Sequence, residues 1–327
     1  IKGDSETHPD LSPDDPFADF ETYPFYIQRD ATPYVAGQGD YIRSALKLGL
    51  GIEREVGQNP YQFGLIGSTD AHTGMASAEE DNFHGKLAQD SIPENKVGGA
   101  IAGSVTGWDM SASGLAAVWA EENTRESILA AMKRREVYAT SGPRIGVQFF
   151  AGSGITEDLL QAEDVYAAAT AVGVPMGGEL SSLAGDAPAF LVRAVKDPLG
   201  ANLDRIQIVK GWVEESGDLR EQVFDVAWSG SRLPDSSGNV PPVGDTVDRA
   251  TATYTNDIGA PELATVWRDP LFDRAQSAFY YVRVLQIPTP RHSLYDAIAL
   301  GLDSANDQPD TIQDRAYTSP VWYRPRS

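Results

Sequence analysis

Apolar positions along this chain change their rhythm near residue 145. Upstream they recur at three- and four-residue steps between short extended runs. Tyr41, Ile42, Ala45 and Leu46 share one side of a helix that opens at Asp40, a good N-cap type, and that Gly57 followed by Asn59-Pro60 closes. The run Phe63-Gly64-Leu65-Ile66 predicts a strand over 62–67, and Leu115-Ala116-Ala117-Val118-Trp119 predicts a second, buried one. Asn123 and Glu126 have the form of a capping box at the head of a helix bearing Ile128, Leu129 and Met132. Arg134 and Arg135 fall in its last turn, where they suit the helix dipole. Val137-Tyr138-Ala139-Thr140 is a further strand, broken by Ser141-Gly142-Pro143.

Downstream the pattern turns to alternation with β-branched and aromatic residues, giving candidate strands at 145–150, 190–195, 206–213, 223–228, 251–255 and 279–285. Residues 1–37 are punctuated by prolines, and 73–113 is rich in Gly, Ser and acidic residues, which suits an active-site loop with short helical pieces. The expected fold class is therefore α/β plus β: a barrel-like or open α/β part over 1–144, then a sandwich-like β region over 145–327.

Composition narrows the function. The chain has 327 residues and a formal net charge of -21, which argues against nucleic acid and against anionic membrane surfaces as partners. Such a charge fits a saline or extracellular setting, so a secreted or periplasmic location is weakly favoured. Absence of cysteine excludes disulfides, thiolate ligands and cysteine nucleophiles. No apolar run approaches the ~20 residues that span a bilayer. The opening Ile1-Lys2-Gly3 carries no initiator methionine and reads as the later part of a longer polypeptide.

Candidate chemistry centres on two acid-x-His frames, Glu6-Thr7-His8 and Asp70-Ala71-His72, the second at the mouth of the expected strand 62–67. Two of the four histidines are used this way. Carboxylate oxygen and neutral imidazole suit a divalent transition metal, Zn, Mn or Fe, which lowers the pKa of bound water to ~7. A bridging carboxylate would permit two or three ions. His84 is a candidate further ligand or proton donor, Lys86 and Arg144 are candidates to hold a substrate anion, the alternatives being a capping acidic run with a solvated lysine and an ordinary carboxylate partner for Arg144, and His292 reads as structural. No Gly-x-Ser-x-Gly elbow, P-loop, dinucleotide fingerprint or EF-hand spacing is present; the Asp-rich stretch 303–314 does not fit the last.

These motifs resemble a bacterial family labelled only as a domain of unknown function and related to the PHP (polymerase and histidinol phosphatase) metallo-hydrolases. The matching segments are Lys2-Gly3-Asp4-Ser5-Glu6-Thr7-His8-Pro9, Gly67-Ser68-Thr69-Asp70-Ala71-His72 and Glu80-Asp81-Asn82-Phe83-His84-Gly85-Lys86. Val137-Tyr138-Ala139-Thr140-Ser141-Gly142-Pro143-Arg144, Lys196-Asp197-Pro198, 203–212, 278–285 and 287–291 continue it over the whole chain. The resemblance implies a partial distorted (β/α) barrel binding two or three ions, a β-sandwich-like region behind it, and hydrolysis of an ester or phosphoester. Two departures stand out: the His-x-His pair of PHP proteins is not in this sequence, and His292 stands where the family tends to carry tryptophan. The expected function is a metal-dependent hydrolase of a small ester or phosphoester, completed by the N-terminal half of the same polypeptide. Amide or carbamate hydrolysis is a nearby alternative. A binding or structural protein, whose β-rich half recognises glycan or protein, is the rival.

Overall fold

The computed structural model describes residues 5–23, 25–26, 32–75, 77–98, 105–180, 187–236, 238–305 and 307–325. It is mixed helix and sheet, 20% helical and 27% strand, with several antiparallel sheets. The large sheet has eight strands. Its main path runs through Leu219–Trp228, Leu203–Val213, Ala278–Gln286, Arg315–Thr318, Val137–Thr140 and Leu115–Val118. Val321–Tyr323 also pairs with Ala278–Gln286 and links it to Glu179–Leu180. A four-stranded sheet orders Glu262–Arg268, Ala189–Val195, Gly146–Gly152 and Val174–Pro175.

Alternation along each strand explains how these sheets stack. Ile206, Ile208, Tyr280, Val282 and Val284 meet Val147, Phe149, Phe190 and Val192 in the largest buried cluster, so the two sheets pack face to face. The intervening positions Val209, Phe279 and Tyr281 point the other way, onto Leu46 and Leu50 of the helix Ile42–Val56. Every residue of Ala278–Gln286 is consequently buried, as expected of a strand covered on both faces. On the outer face of the smaller sheet, Phe150 and Leu191 pack on Val165 and Ala169 of the short helix Val165–Thr170. Four layers result: helix, sheet, sheet, helix.

Among the described residues the barrel portion expected over 1–144 does not appear as such. Val137–Thr140 and Leu115–Val118 pair antiparallel and extend the large sheet, whereas a (β/α) barrel requires parallel neighbours. Among the described residues one strand pair is parallel, Val321–Tyr323 with Glu179–Leu180. The large sheet thus takes strands from both sides of the expected boundary at 144/145.

Other differences have local causes. Residues 62–67 form no strand: Leu65 donates its N–H to the Ser319 hydroxyl, and Gly67 makes a single contact to the Leu115 carbonyl. Residues 251–255 form turns with one isolated bridge, Asp248 to Thr253. Asp40 does not cap the helix Ile42–Val56; its carboxylate accepts from the Gly37 amide instead. Gly57, at φ 81, closes that helix as expected, donating to the Glu53 carbonyl. The second helix runs Arg125–Arg134, and Thr124 caps it by accepting from the Ser127 amide.

Candidate active site

Glu6 lies in the interior, in a knot of charges. Its Oε2 meets Arg283 Nη1 at 3.0 Å, and its Oε1 contacts Arg43 and the Tyr281 hydroxyl. Asp15 joins both guanidiniums, at 2.9 Å to Arg43 and 2.8 Å to Arg283. Arg43 also reaches Glu221, and Arg283 donates to Gln207. Burial alone would raise the Glu6 carboxyl, but Arg283 and Arg43 overcome it and hold Glu6 down at about 2. Asp15 is lowered for the same reasons. Arg43 comes from the helix Ile42–Val56 and Arg283 from the central strand, so the knot fastens the N-terminal segment to the sheet.

His8 does not turn toward Asp70. Its Nδ1 accepts from the Asp10 amide at 3.2 Å, and its ring sits 5.8 Å from Tyr34 and 5.7 Å from Tyr41. Asp70 and His72 do approach each other, Oδ1 to Nε2 at 3.5 Å, and Lys86 Nζ takes Asp70 Oδ2 at 3.0 Å. Asp70 adopts φ 54, a left-handed conformation that Asp tolerates, and His72 donates its amide to the Lys86 carbonyl. His84 is half-buried nearby in sequence.

The donor set that a PHP-type metal centre would need is not assembled by these residues. Two guanidiniums and the Tyr281 hydroxyl already occupy the Glu6 oxygens, and the guanidinium charges would repel a cation there. Among the described residues no three His, Asp or Glu side chains gather so as to hold a metal ion.

A different set of groups converges elsewhere. The segment 78–81, the turn 142–144, Asp197, Tyr254, Tyr295 and Asp314 enclose an open cavity of about 300 Å³. Gly142, at φ 151, sits so close to the Ala78 carbonyl that any Cβ would strike it; this turn is therefore pressed onto the 78–81 segment. Arg144 follows directly, its side chain 68% exposed and its Nη2 3.7 Å from Glu79 Oε1. Its amide donates to Asp197 Oδ2 at 2.7 Å.

Glu80 Oε2 accepts from the amide of His292 at 2.6 Å, at the start of the helix His292–Ala299, while its Oε1 is shut off from solvent without a partner. Asp314 is buried, its Oδ1 accepting from the Ser141 hydroxyl at 2.6 Å. Burial pushes the Glu80 carboxyl well above the ordinary range, and the neighbouring Asp314 pushes it further. Burial also raises Asp314, the Ser141 hydroxyl offsetting part of the shift. Both carboxyls consequently hold protons far closer to neutral pH than free acids do. Burial and Asp81 likewise raise Tyr295, to about 12, and keep its phenol neutral.

Of the residues singled out from sequence, Arg144 lines this cavity, while Asp70, His72 and Lys86 form a separate surface group. Sequence reasoning passed over Glu80, Asp314, Gln286, Tyr254 and Tyr295. Glu80 lies in the segment 80–86, where His84 and Lys86 carry the more distinctive chemistry, and Asp314 ends an acidic stretch without EF-hand spacing. His292 is fully buried, stacked on Phe83 at 4.0 Å with Nε2 against the Met110 carbonyl, a packing position.

A four-layered sheet protein with an acid-lined cavity is thus the class that fold and site define. The family described as "Protein of unknown function (DUF3604)" matches residues 1–325, and the chain belongs to it. No curated protein and no solved structure matches the chain.

Proposed function

We propose that the chain hydrolyses a small ester in this cavity, with Glu80 and Asp314 as an acid–base pair and Arg144 as the anchor for developing negative charge. One observation carries the proposal: two carboxyl groups share a cavity, and burial, aided by Asp314 beside Glu80 and by Glu21 beside Asp314, keeps protons on them near neutral pH. The ionised member takes a proton from water as its oxygen attacks the carbonyl carbon. The neutral member gives its proton to the departing alkoxide, so one acid and one alcohol leave and the pair keeps its single proton. Arg144, exposed at the rim, stabilises the tetrahedral oxyanion.

Glu79, Asp81 and Asp197 on the walls disfavour a phosphoester dianion, which makes a carbonyl ester the better substrate. Kinship with the PHP hydrolases belongs to the same proposal: it supports the reaction class, while the cavity supports the carboxyl pair as its agent. The test is release of p-nitrophenol from p-nitrophenyl acetate and p-nitrophenyl phosphate, by the unaltered chain, Glu80→Gln and Asp314→Asn, before and after EDTA treatment. Acetate turnover should fall about 100-fold or more in each variant and survive EDTA. Silence on both esters, or full activity in both variants, overturns the proposal. Activity lost to EDTA and restored by zinc or manganese transfers the chemistry from the carboxyl pair to a metal.

A further inference from the structure

Beside its carboxyl pair the cavity carries two phenols. Tyr295 comes from the helix His292–Ala299 and Tyr254 from the turns at 251–255, and both are half-buried on the wall. Among the described residues neither hydroxyl has a hydrogen-bond partner. Neither is shut off from solvent, in contrast to the sealed Glu80 Oε1, so a ligand in the cavity can reach both. Burial, followed by Asp314, raises the Tyr254 phenol, as burial and Asp81 raise that of Tyr295. Both therefore stay protonated and keep a hydrogen to donate. Arg144 adds an open donor fork at the rim, since it meets Glu79 only at 3.7 Å.

These open groups sort the ligand classes. An anion would sit against Glu79 and Asp81, both exposed at the mouth. A cation would face the Arg144 guanidinium and leave the phenol hydrogens without acceptors. A purely apolar ring would cover the tyrosine faces but strip water from two hydroxyls and leave them unpaired. A polyhydroxylated ring meets every one of these groups. Each of its hydroxyls can accept from a phenol or the guanidinium and donate to a carboxylate, while its C–H face packs on an aromatic ring. A space of about 300 Å³ admits one such ring with a short acyl chain.

We infer that the cavity seats a single sugar ring, flanked by Tyr254 and Tyr295, with their hydroxyls and the Arg144 guanidinium donating to its oxygens. The inference rests on the cavity being the reaction site proposed above, and it names the substrate class: an O-acyl sugar. The oxygen of water joins the acyl carbon as the ionised carboxyl takes its proton. The ester C–O bond breaks, and the proton of the neutral carboxyl goes to the sugar oxygen, which leaves a short acid and a free sugar hydroxyl.

The test is calorimetric titration of the whole chain with the methyl pyranosides of glucose, galactose, mannose and xylose, each against cyclohexanol. At least one pyranoside should bind about ten-fold tighter than cyclohexanol. Tyr254→Phe and Tyr295→Phe keep the ring and lose the donor, and each should weaken that binding several-fold. No heat from any pyranoside, binding no tighter than cyclohexanol, or unchanged binding in either variant overturns the inference. Hydrolysis of methyl 6-O-acetylglucopyranoside is then compared with that of cyclohexylmethyl acetate. Pyranoside binding that the tyrosine variants weaken, without turnover of any ester, fails the hydrolase proposal and supports the sugar site. Turnover of cyclohexylmethyl acetate equal to that of the sugar ester supports the hydrolase and overturns the sugar site.

Discussion

Removing one member of the knot formed by Glu6, Asp15, Arg43 and Arg283 strands the remaining charges where water does not reach. Arg43→Met should therefore cost about 3–5 kcal/mol, read from urea unfolding curves, although methionine fills much of the same space. The knot also sets an acid limit. Glu6 sits at about 2 against an ordinary 4.5, so the folded chain binds fewer protons than the unfolded one between those values. Its stabilising contribution is whole above pH 4.5 and fades as pH falls toward 2; Glu6→Gln should flatten that acid limb of a stability-against-pH curve. Glu80 acts with the opposite sign. It is raised from 4.5 to about 8, so the folded chain binds more protons in that interval and loses stability as pH climbs through it. Glu80→Gln should gain stability over wild type at pH 8 and above while losing the proposed esterase activity, the exchange expected of a group kept for chemistry at the expense of the fold.

Within the sheet the sharpest constraint is Gly211, which faces Phe279 across the Leu203–Val213 and Ala278–Gln286 pair. A Cβ there would run into the Phe279 ring, so Gly211→Ala should destabilise by about 1–3 kcal/mol in thermal unfolding, and Phe279→Leu in the same chain should recover part of the loss. Elements with strong periodicity were legible beforehand: the helix ending at Gly57, the strand Val137–Thr140 and the alternating strands at 145–150, 190–195 and 279–285 all correspond to elements of the fold. Misreadings followed from short apolar runs and from long-range partners. Phe63 to Ile66 have strand composition, yet Leu65 spends its amide on Ser319, a residue more than 250 positions away. Thr251 to Thr255 have strand-like residues but fold into turns. Glu262–Arg268 and Arg315–Thr318 went unmarked because their charged members, Glu262, Arg268 and Arg315, interrupt the apolar signal. The cavity was barely legible. Glu80 and Asp314 are 234 positions apart, and nothing local in either segment announces that the fold makes them neighbours.

For the molecule as a whole, the large sheet ties the two halves of the chain together. Cutting at 144/145 would strip Val137–Thr140 from Arg315–Thr318 and lift the helix Ile42–Val56 off Val209, Tyr281 and Trp322. The segment 145–327 on its own should bind a hydrophobic dye and lack a cooperative urea transition, whereas the full chain should unfold in one step, both followed by circular dichroism. The charge knot has a further consequence for how this protein meets its surroundings. Its ions neutralise one another in a dry interior beyond the reach of dissolved salt, while most of the excess acid faces water. Raising ionic strength therefore quiets the outer repulsion and spares the inner fastening, so concentrated brine should harden this fold where it would loosen one held together by surface ion pairs.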